Sequence, residues 1–451
     1  MALTGIQILK MLPKKNCGEC KIPTCLAFAM KVAAGQIEIG ECPYVSEDVK
    51  QSIGEASAPP IRTIKLGTGD KVFTVGGETC MFRHEKRFEN PTGIAVLVTT
   101  GMSAADVDGR ISRFKSLRYE RVGVLLKADL IAIKDEAGSE AAYTALVQKV
   151  LSGADDAAII LMSTNNANIA AAAKLCGSRK PLLYAADSSN AKELGLLAKE
   201  LGCPLVVRGS NLDETVLLTE KFLADGLKDM VIDSGARTIR AAFEDNVVSR
   251  RSAITKKYKP LGFPTIAFPC EITSDPLMEA MISSVLIAKY AGIIVLSDLQ
   301  GDMLFPLLLE RLNIFTDPQR PMVVQEDVYN INGPNENSPV LVTCNFSLTY
   351  FIVSGEIEGS KVPSWLLIKD TEGLSVLTAW AAGKFGADMI AQFIKKSGIE
   401  EKVKHRELII PGYLASIKGE LEEELPAWTI TIGPREAGHL PAFLKEWKPA
   451  A

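Results

Sequence analysis

A chain of 451 residues has length for two to four domains, each able to bury a core of its own. Its 47% hydrophobic and 23% charged content is ordinary for a globular protein. The 50 Lys and Arg against 54 Asp and Glu leave a net charge of −4 and no basic field for nucleic acid, so none is expected as a partner.

In chain order, the opening stretch Met1–Lys15 is broken by Lys10, Lys14 and Lys15 and does not read as a signal peptide. The longest apolar run, Met281–Leu296, is interrupted by Lys289 and is too short to span a bilayer. A cytoplasmic protein without membrane attachment is the expectation. Cys17, Cys20, Cys25 and Cys42 then follow as C-x2-C-x4-C-x16-C, with Pro43 directly after the last. Three thiolates this close can wrap three corners of an iron–sulfur cubane because Gly18 and Pro23 allow tight turns, and the fourth arrives from a separate turn. A structural zinc site and disulfides are the alternatives. Zinc sites usually pair two C-x2-C knuckles, and only one is present here. The remaining cysteines, Cys80, Cys176, Cys203, Cys270 and Cys344, stand singly in apolar segments, as reduced core cysteines do.

Within this small unit of residues 1–57, Thr24 caps an expected helix over Cys25–Ala34, stopped by Gly35. Ser57–Pro60 reads as a linker, and residues 58–92 as a connection containing a hairpin, with Ile64, Leu66, Val72, Phe73 and Val75 set among glycines. From residue 93 to 315, eight continuous apolar runs alternate with helical stretches: Ile94–Thr99, Val122–Ile133, Ala157–Met162, Pro181–Ala185, Pro204–Val207, Met230–Asp233, Thr265–Phe268 and Ile293–Ser297. Continuous rather than alternating runs indicate buried parallel strands, so the expectation is a closed (β/α)8 TIM barrel, with an open doubly wound sheet as the alternative. Phe315–Pro321 reads as a linker. Beyond it, residues 325–451 form a smaller α/β, Rossmann-like domain with strands at Val340–Asn345, Trp365–Lys369, His405–Ile410 and Trp428–Gly433. Its helices are expected at Leu374–Ser397, Leu414–Glu424 and Ala437–Trp447.

Turns of small, hydroxyl and amide-donating residues follow those strands. The expected ligand contacts are Asp370, Thr371, Glu372, Gly373, Leu374, Ser375 and Thr378, with Asn345, Ser347 and Thr349 at the edge, then Gly412, and Gly433, Arg435, Glu436 and Ala437. Plain turn chemistry in an α/β module is the competing reading. No dinucleotide fingerprint or phosphate loop is present, which disfavours nicotinamide, flavin and ATP. Three histidines, His84, His405 and His439, are too few and too scattered for a triad or a His-rich metal site. Asp233 and Asp298 end barrel strands, where catalytic groups usually lie, but lack partners to complete a mechanism and read as structural.

Several motifs together carry a family signature: LPKKNCGEC at Leu12–Cys20, PTCLAFA at Pro23–Ala29, FRHEKRF at Phe82–Phe88, NENSPV at Asn335–Val340, NFSLTY at Asn345–Tyr350, GLSVLTA at Gly373–Ala379 and GPREA at Gly433–Ala437. Across essentially its whole length the chain resembles the large (gamma) subunits of the corrinoid/iron–sulfur proteins of the acetyl-CoA pathway. The resemblance implies a [4Fe–4S] cluster on the four cysteines and a corrinoid in the C-terminal domain. It implies a methyl carrier that takes a methyl group from methyltetrahydrofolate onto Co(I), through a separate methyltransferase, and gives it to acetyl-CoA synthase/CO dehydrogenase. The cluster would return inactive Co(II) to Co(I). A heterodimer with a smaller barrel subunit is implied as well. Many cobalamin modules supply an axial imidazole from D-x-H-x-x-G, and that motif is missing here. A base-off cobalt without a protein ligand follows, which eases reduction to Co(I). Two other functions stay open from the residues alone: an iron–sulfur electron carrier without corrinoid, and a barrel that itself binds methylated pterin.

Overall fold

The computed structural model describes residues 4–33, 37, 39–46, 49–50, 53, 58–121 and 124–449. They fall into two compact units. The first runs to Leu117 and from Lys127 to Phe315, and the second takes Arg118–Leu126 and everything from Thr316.

The first unit opens with helix Gly5–Met11, whose Thr4 and Gln7 form a reciprocal capping box. Helix Cys25–Ala33 is capped by Thr24, whose Oγ1 accepts from Ala27 N at 3.1 Å. Ala34 and Gly35, expected to end that helix, lie outside the described residues, as does Ser57 of the expected linker. Ile8, Leu12, Ile22, Phe28 and Val32 make a small separate core.

Strands β1 (Ile64–Leu66) and β2 (Phe73–Val75) pair as an antiparallel hairpin. This hairpin is also the floor of the barrel. Ile64, Leu66 and Val75 join the cluster that fills the barrel interior, and the Phe73 ring lies where a Cβ on Gly93 would stand, 2.5 Å away. Strand β3 (Gly93–Thr99) starts directly above it. An antiparallel pair, β4 (Tyr119–Arg121) and β5 (Val124–Leu126), precedes β6 (Leu130–Lys134). The run Val122–Ile133, read as one strand, is therefore two elements, and Val122 itself lies outside the described residues. The break at Lys127–Asp129 is polar: Arg311 bonds the Lys127 carbonyl at 2.9 Å and pairs with Asp129, whose carboxylate also accepts from Ile94 N at 3.0 Å.

Six further strands complete the ring: β7 (Ala158–Met162), β8 (Leu182–Ala186), β9 (Leu205–Arg208), β10 (Met230–Asp233), β11 (Ile266–Ala267) and β12 (Ile293–Leu296). All are parallel, in the order β10-β9-β8-β7-β6-β3-β12-β11, and a bridge between Ile232 and Thr265 closes the barrel as expected. The intervening helices start at side-chain caps, among them Ser103, Ser139, Asn165, Asn211, Thr238 and Asp275, each accepting a backbone N–H of its first turn.

In the second unit, β13 (Asp327–Ile331), β14 (Val340–Cys344), β15 (Ser364–Lys369), β16 (Glu407–Ile410) and β17 (Thr429–Ile432) form a sheet in the order β13-β15-β14-β16-β17. Four strands are parallel and β13 is an antiparallel edge. From β14 the chain winds first to one side and then to the other, so the strand order reverses between β14 and β16. That is the topological switch of a doubly wound sheet. Elements not anticipated here include β13, helix Ser347–Ser360 and the short helix Ile399–Lys402. The expected helix Leu374–Ser397 is two, Val376–Ala381 and Ala387–Lys396, parted around Gly383 at φ 71°. The stretches Leu414–Glu424 and Ala437–Trp447 each begin as 3-10 turns, so His439 precedes helix Leu440–Glu446 rather than lying inside it.

Candidate functional site

Two places gather chemistry. In the first unit, Cys17, Cys20, Cys25 and Cys42 line one hollow together with Ile22, Phe28 and Pro43. Cys17 is exposed and Cys42 buried. The loop is held open locally. Gly18 at φ 74° makes the turn in which Lys21 N bonds Gly18 O at 2.8 Å, and Asn16 Oδ1 accepts from Cys25 N at 2.7 Å. A 3-10 turn at Ile39–Glu41 delivers Cys42 from the other side. Among the described residues no three His, Cys, Asp or Glu side chains come close enough to share a single metal ion.

In the second unit, a cleft of about 320 Å³ opens at the switch point, over the carboxyl ends of β14 and β16. Its walls are Leu341–Thr343, Ile409–Pro411 and the turn Gly433–Gly438, with Thr349 and Ile352 from helix Ser347–Ser360 and Val376 and Tyr413 at the rim. The turns after β16 and β17 are stitched together: Gly412 N bonds Pro434 O at 3.1 Å and Gly433 N bonds Ile410 O at 2.9 Å. A side chain on Gly412 would stand 2.5 Å from Gly433 O and 2.7 Å from Arg435 N, so only glycine allows that approach. Tyr413 Oη donates to Glu436 Oε1 at 2.7 Å, and the carboxylate holds the phenol above its ordinary range.

Of the expected contacts, Thr349, Gly433, Arg435, Glu436 and Ala437 line this cleft, and Gly412 backs it. Asn345, Asp370, Thr371, Glu372, Gly373 and Leu374 form a neighbouring turn that satisfies itself. Asn345 Oδ1 accepts from Thr371 N, Thr371 Oγ1 and Gly373 N at 3.0 Å each, and its Nδ2 donates to Asp370 Oδ1 at 2.7 Å. Thr371 Oγ1 reaches on to Leu374 O at 2.9 Å, and Glu372 N to Asp370 Oδ1 at 2.9 Å. Ser375 and Thr378 bond each other at 3.1 Å. Ser347 is buried, and its Oγ finds no partner among the described residues. Ile352 was missed altogether, and Val376, Pro411 and Tyr413 stand in the expected turns without being among the expected contacts. The signal that finds Ile352 and Tyr413 is structural: with Leu348, Leu377 and Trp380, all following strand carboxyl ends, they are 44–58% exposed.

The barrel's carboxyl mouth is occupied by its own side chains. Tyr184 Oη donates to Asp233 Oδ2 at 2.7 Å, and Arg237 bridges Asp233, Tyr184 and Glu271. Asp298 pairs with Arg113 at 2.8 Å. His405, at the amino end of β16, is engaged at both nitrogens, by Ser338 O at 2.9 Å and Glu407 N at 3.2 Å. His84 stacks on Phe82.

Residues 63–444 match the family model for the CO dehydrogenase/acetyl-CoA synthase delta subunit, and residues 12–44 match one for a putative Fe-S cluster. The corrinoid/iron-sulfur protein large subunit of Moorella thermoacetica is 44% identical over 445 residues, covering 99% of both chains. The acetyl-CoA decarbonylase/synthase complex subunits gamma of Methanopyrus kandleri and Methanothermobacter thermautotrophicus are 33% and 32% identical, covering 98% of this chain and 98% and 99% of theirs. With one family model over most of its length and relatives matched end to end, the chain belongs to the CO dehydrogenase/acetyl-CoA synthase delta-subunit family, among the corrinoid/iron–sulfur protein large subunits.

Proposed function

We propose that this chain is a methyl carrier, the large subunit of a corrinoid/iron–sulfur protein that receives a methyl group from a methyltetrahydrofolate methyltransferase and delivers it to acetyl-CoA synthase. The observation that carries the reading is the cleft at the switch point, set on the same polypeptide as a hollow of four cysteines. When bound, the corrinoid supplies a methyl-accepting cobalt and a [4Fe–4S] cluster supplies single electrons to keep it reduced.

The residues present fit both groups. One hollow lined by all four cysteines, with a single C-x2-C pair where zinc sites usually have two knuckles, is a donor set that suits a cubane. A corrin is broad, flat and largely apolar with amide arms. Ile352, Val376 and Tyr413 line the cleft with apolar surface for it, exposed Leu348, Leu377 and Trp380 stand nearby in sequence on the same two helices as Ile352 and Val376, and the backbone amides of Arg435–Gly438 offer polar contacts. The Asn345-centred turn holds the rim in place rather than spending its own donors on a ligand. Since His405 is consumed at the opposite edge of the sheet, only exposed His439, beside the cleft residue Gly438, stands near enough to question a base-off cobalt. A smaller partner subunit is part of the proposal. Leu277, Met278, Met281 and Val285 of helix Pro276–Ala288 are 36–57% exposed on its outer side, an apolar surface suited to cover by that subunit. The self-paired mouth of the barrel argues against pterin chemistry there.

Anaerobic purification followed by visible spectroscopy and metal analysis tests the reading. Corrinoid bands with one cobalt and about four irons per chain are expected. Iron without cobalt would leave an electron carrier, and tight binding of methylated pterin by this chain alone would move the chemistry to the barrel.

A further inference from the structure

Three polar atoms buried in the barrel wall, Asn246 Nδ2, Ser249 Oγ and Thr265 Oγ1, have no hydrogen-bond partner among the described residues. They belong to one place. Thr265 stands where β10 meets β11, and Asn246 and Ser249 are on the inner face of helix Ile239–Thr255. All three line both of two adjoining cavities, with room for water centres of about 30 and 10 Å³.

This is also where the barrel is least well sewn. β11 has only two residues, and its link to β10 is the isolated bridge at Thr265, carried by Ile232 N to Pro264 O at 2.8 Å. Elsewhere neighbouring strands share registers of up to five residues. Buried polar groups are almost always satisfied, and orphans in a polar hollow mark ordered water. One water needs roughly 10–15 Å³ of such space, so the two cavities hold about three. Three orphaned atoms call for about the same number. Further polar contacts are at hand, since Asp233, Ser234 and Asp245 line the smaller cavity and Glu78, Asn90 and Arg250 the larger.

We propose that a short file of about three buried waters, held by Asn246, Ser249 and Thr265, completes the barrel seam between β10 and β11. The water replaces ladder hydrogen bonds that the two-residue strand cannot make.

The test uses the full chain. Thr265→Val and Ser249→Ala keep the volume nearly unchanged and remove only the hydroxyl. If water is bound, each should lower the melting temperature of the barrel by about 2–4 °C, the scale of one lost hydrogen bond in a domain of this size. Thr265→Ser should restore most of that loss. A hydroxyl that is bare in the folded state gives the opposite sign, because removing it relieves its burial. Unchanged or raised melting temperatures would therefore overturn the proposal. Crystals of the unaltered protein diffracting to about 1.8 Å give a second readout that does not depend on any variant folding. Discrete density within hydrogen-bond distance of all three atoms supports the file, and empty density at any of them removes it.

Discussion

At position 345 a single carboxamide organises an entire turn. It accepts from two backbone amides and a hydroxyl and donates to Asp370, so Thr371–Gly373 is fixed before any ligand arrives. Asn345→Leu would leave the Thr371 and Gly373 amides buried without an acceptor, while the Thr371 hydroxyl keeps Leu374 O. The expected cost is about 2–4 kcal/mol in the unfolding of the second unit, followed by denaturant titration, together with a fall in bound cobalt. Retained stability and full cobalt content would show that the turn is held by other means. The cysteines divide just as clearly. Burial pushes the thiols of Cys176 and Cys270 up to about 12 and that of Cys203 to about 11, so they stay protonated and inert at neutral pH. Iodoacetamide at pH 7.5 should spare these three in the native protein and modify exposed Cys17 only after iron is chelated. Mass spectrometric detection of label on Cys176 before unfolding would contradict this. Cys20→Ala should abolish or severely weaken the paramagnetic signal of the reduced cluster.

At the scale of elements, Gly412 and Phe73 show two kinds of packing demand. Gly412→Ala drives a methyl into the backbone of Gly433–Arg435 and must part the two turns that back the cleft. Loss of corrinoid at least tenfold greater than the loss of secondary structure is expected from equilibrium loading and circular dichroism. Phe73→Ala removes the ring that supports the foot of β3 and should cost the barrel about 2–3 kcal/mol, since the ring is only half-buried. How far such elements were legible depended on what each contributes to the sequence. Cysteine spacing and continuous apolar runs survive as patterns, and the barrel strands were readable for that reason. The β4–β5 pair was not, because Val124–Leu126 and Leu130–Ile133 have the same apolar character and only the polar Lys127–Asp129 separates them. Helix Ser347–Ser360 hid behind aromatic and β-branched residues and two glycines, and β13 behind the polar residues of Asp327–Ile331. The turns flanking the cleft were visible as small and hydroxyl residues. Its apolar lining was not, because Ile352 or Tyr413 in a sequence looks like core until exposure is known.

For the whole molecule, the carrier reading demands a cobalt free of imidazole. The Co(II) form should show no nitrogen superhyperfine splitting in its paramagnetic spectrum, and His439→Ala should leave that spectrum unchanged. Splitting that vanishes in the variant would make His439 a ligand and reverse the argument from the missing D-x-H-x-x-G motif.

Segment Arg118–Leu126 departs from the barrel's sequence to join the second unit, where the Arg121 guanidinium lies over the Phe351 ring at 4.9 Å, before the chain returns at Lys127. The polypeptide thus changes unit three times, after Leu117, Leu126 and Phe315. The C-terminal module is not a contiguous cassette. A gene fragment begun at Thr316 would encode it without the hairpin seated on its first helix, whereas a protease cut near the same point in the finished protein would leave every part in hand. The two manipulations, equivalent on a domain diagram, should give different molecules, and a graft of this module onto another scaffold has to carry two pieces of sequence instead of one.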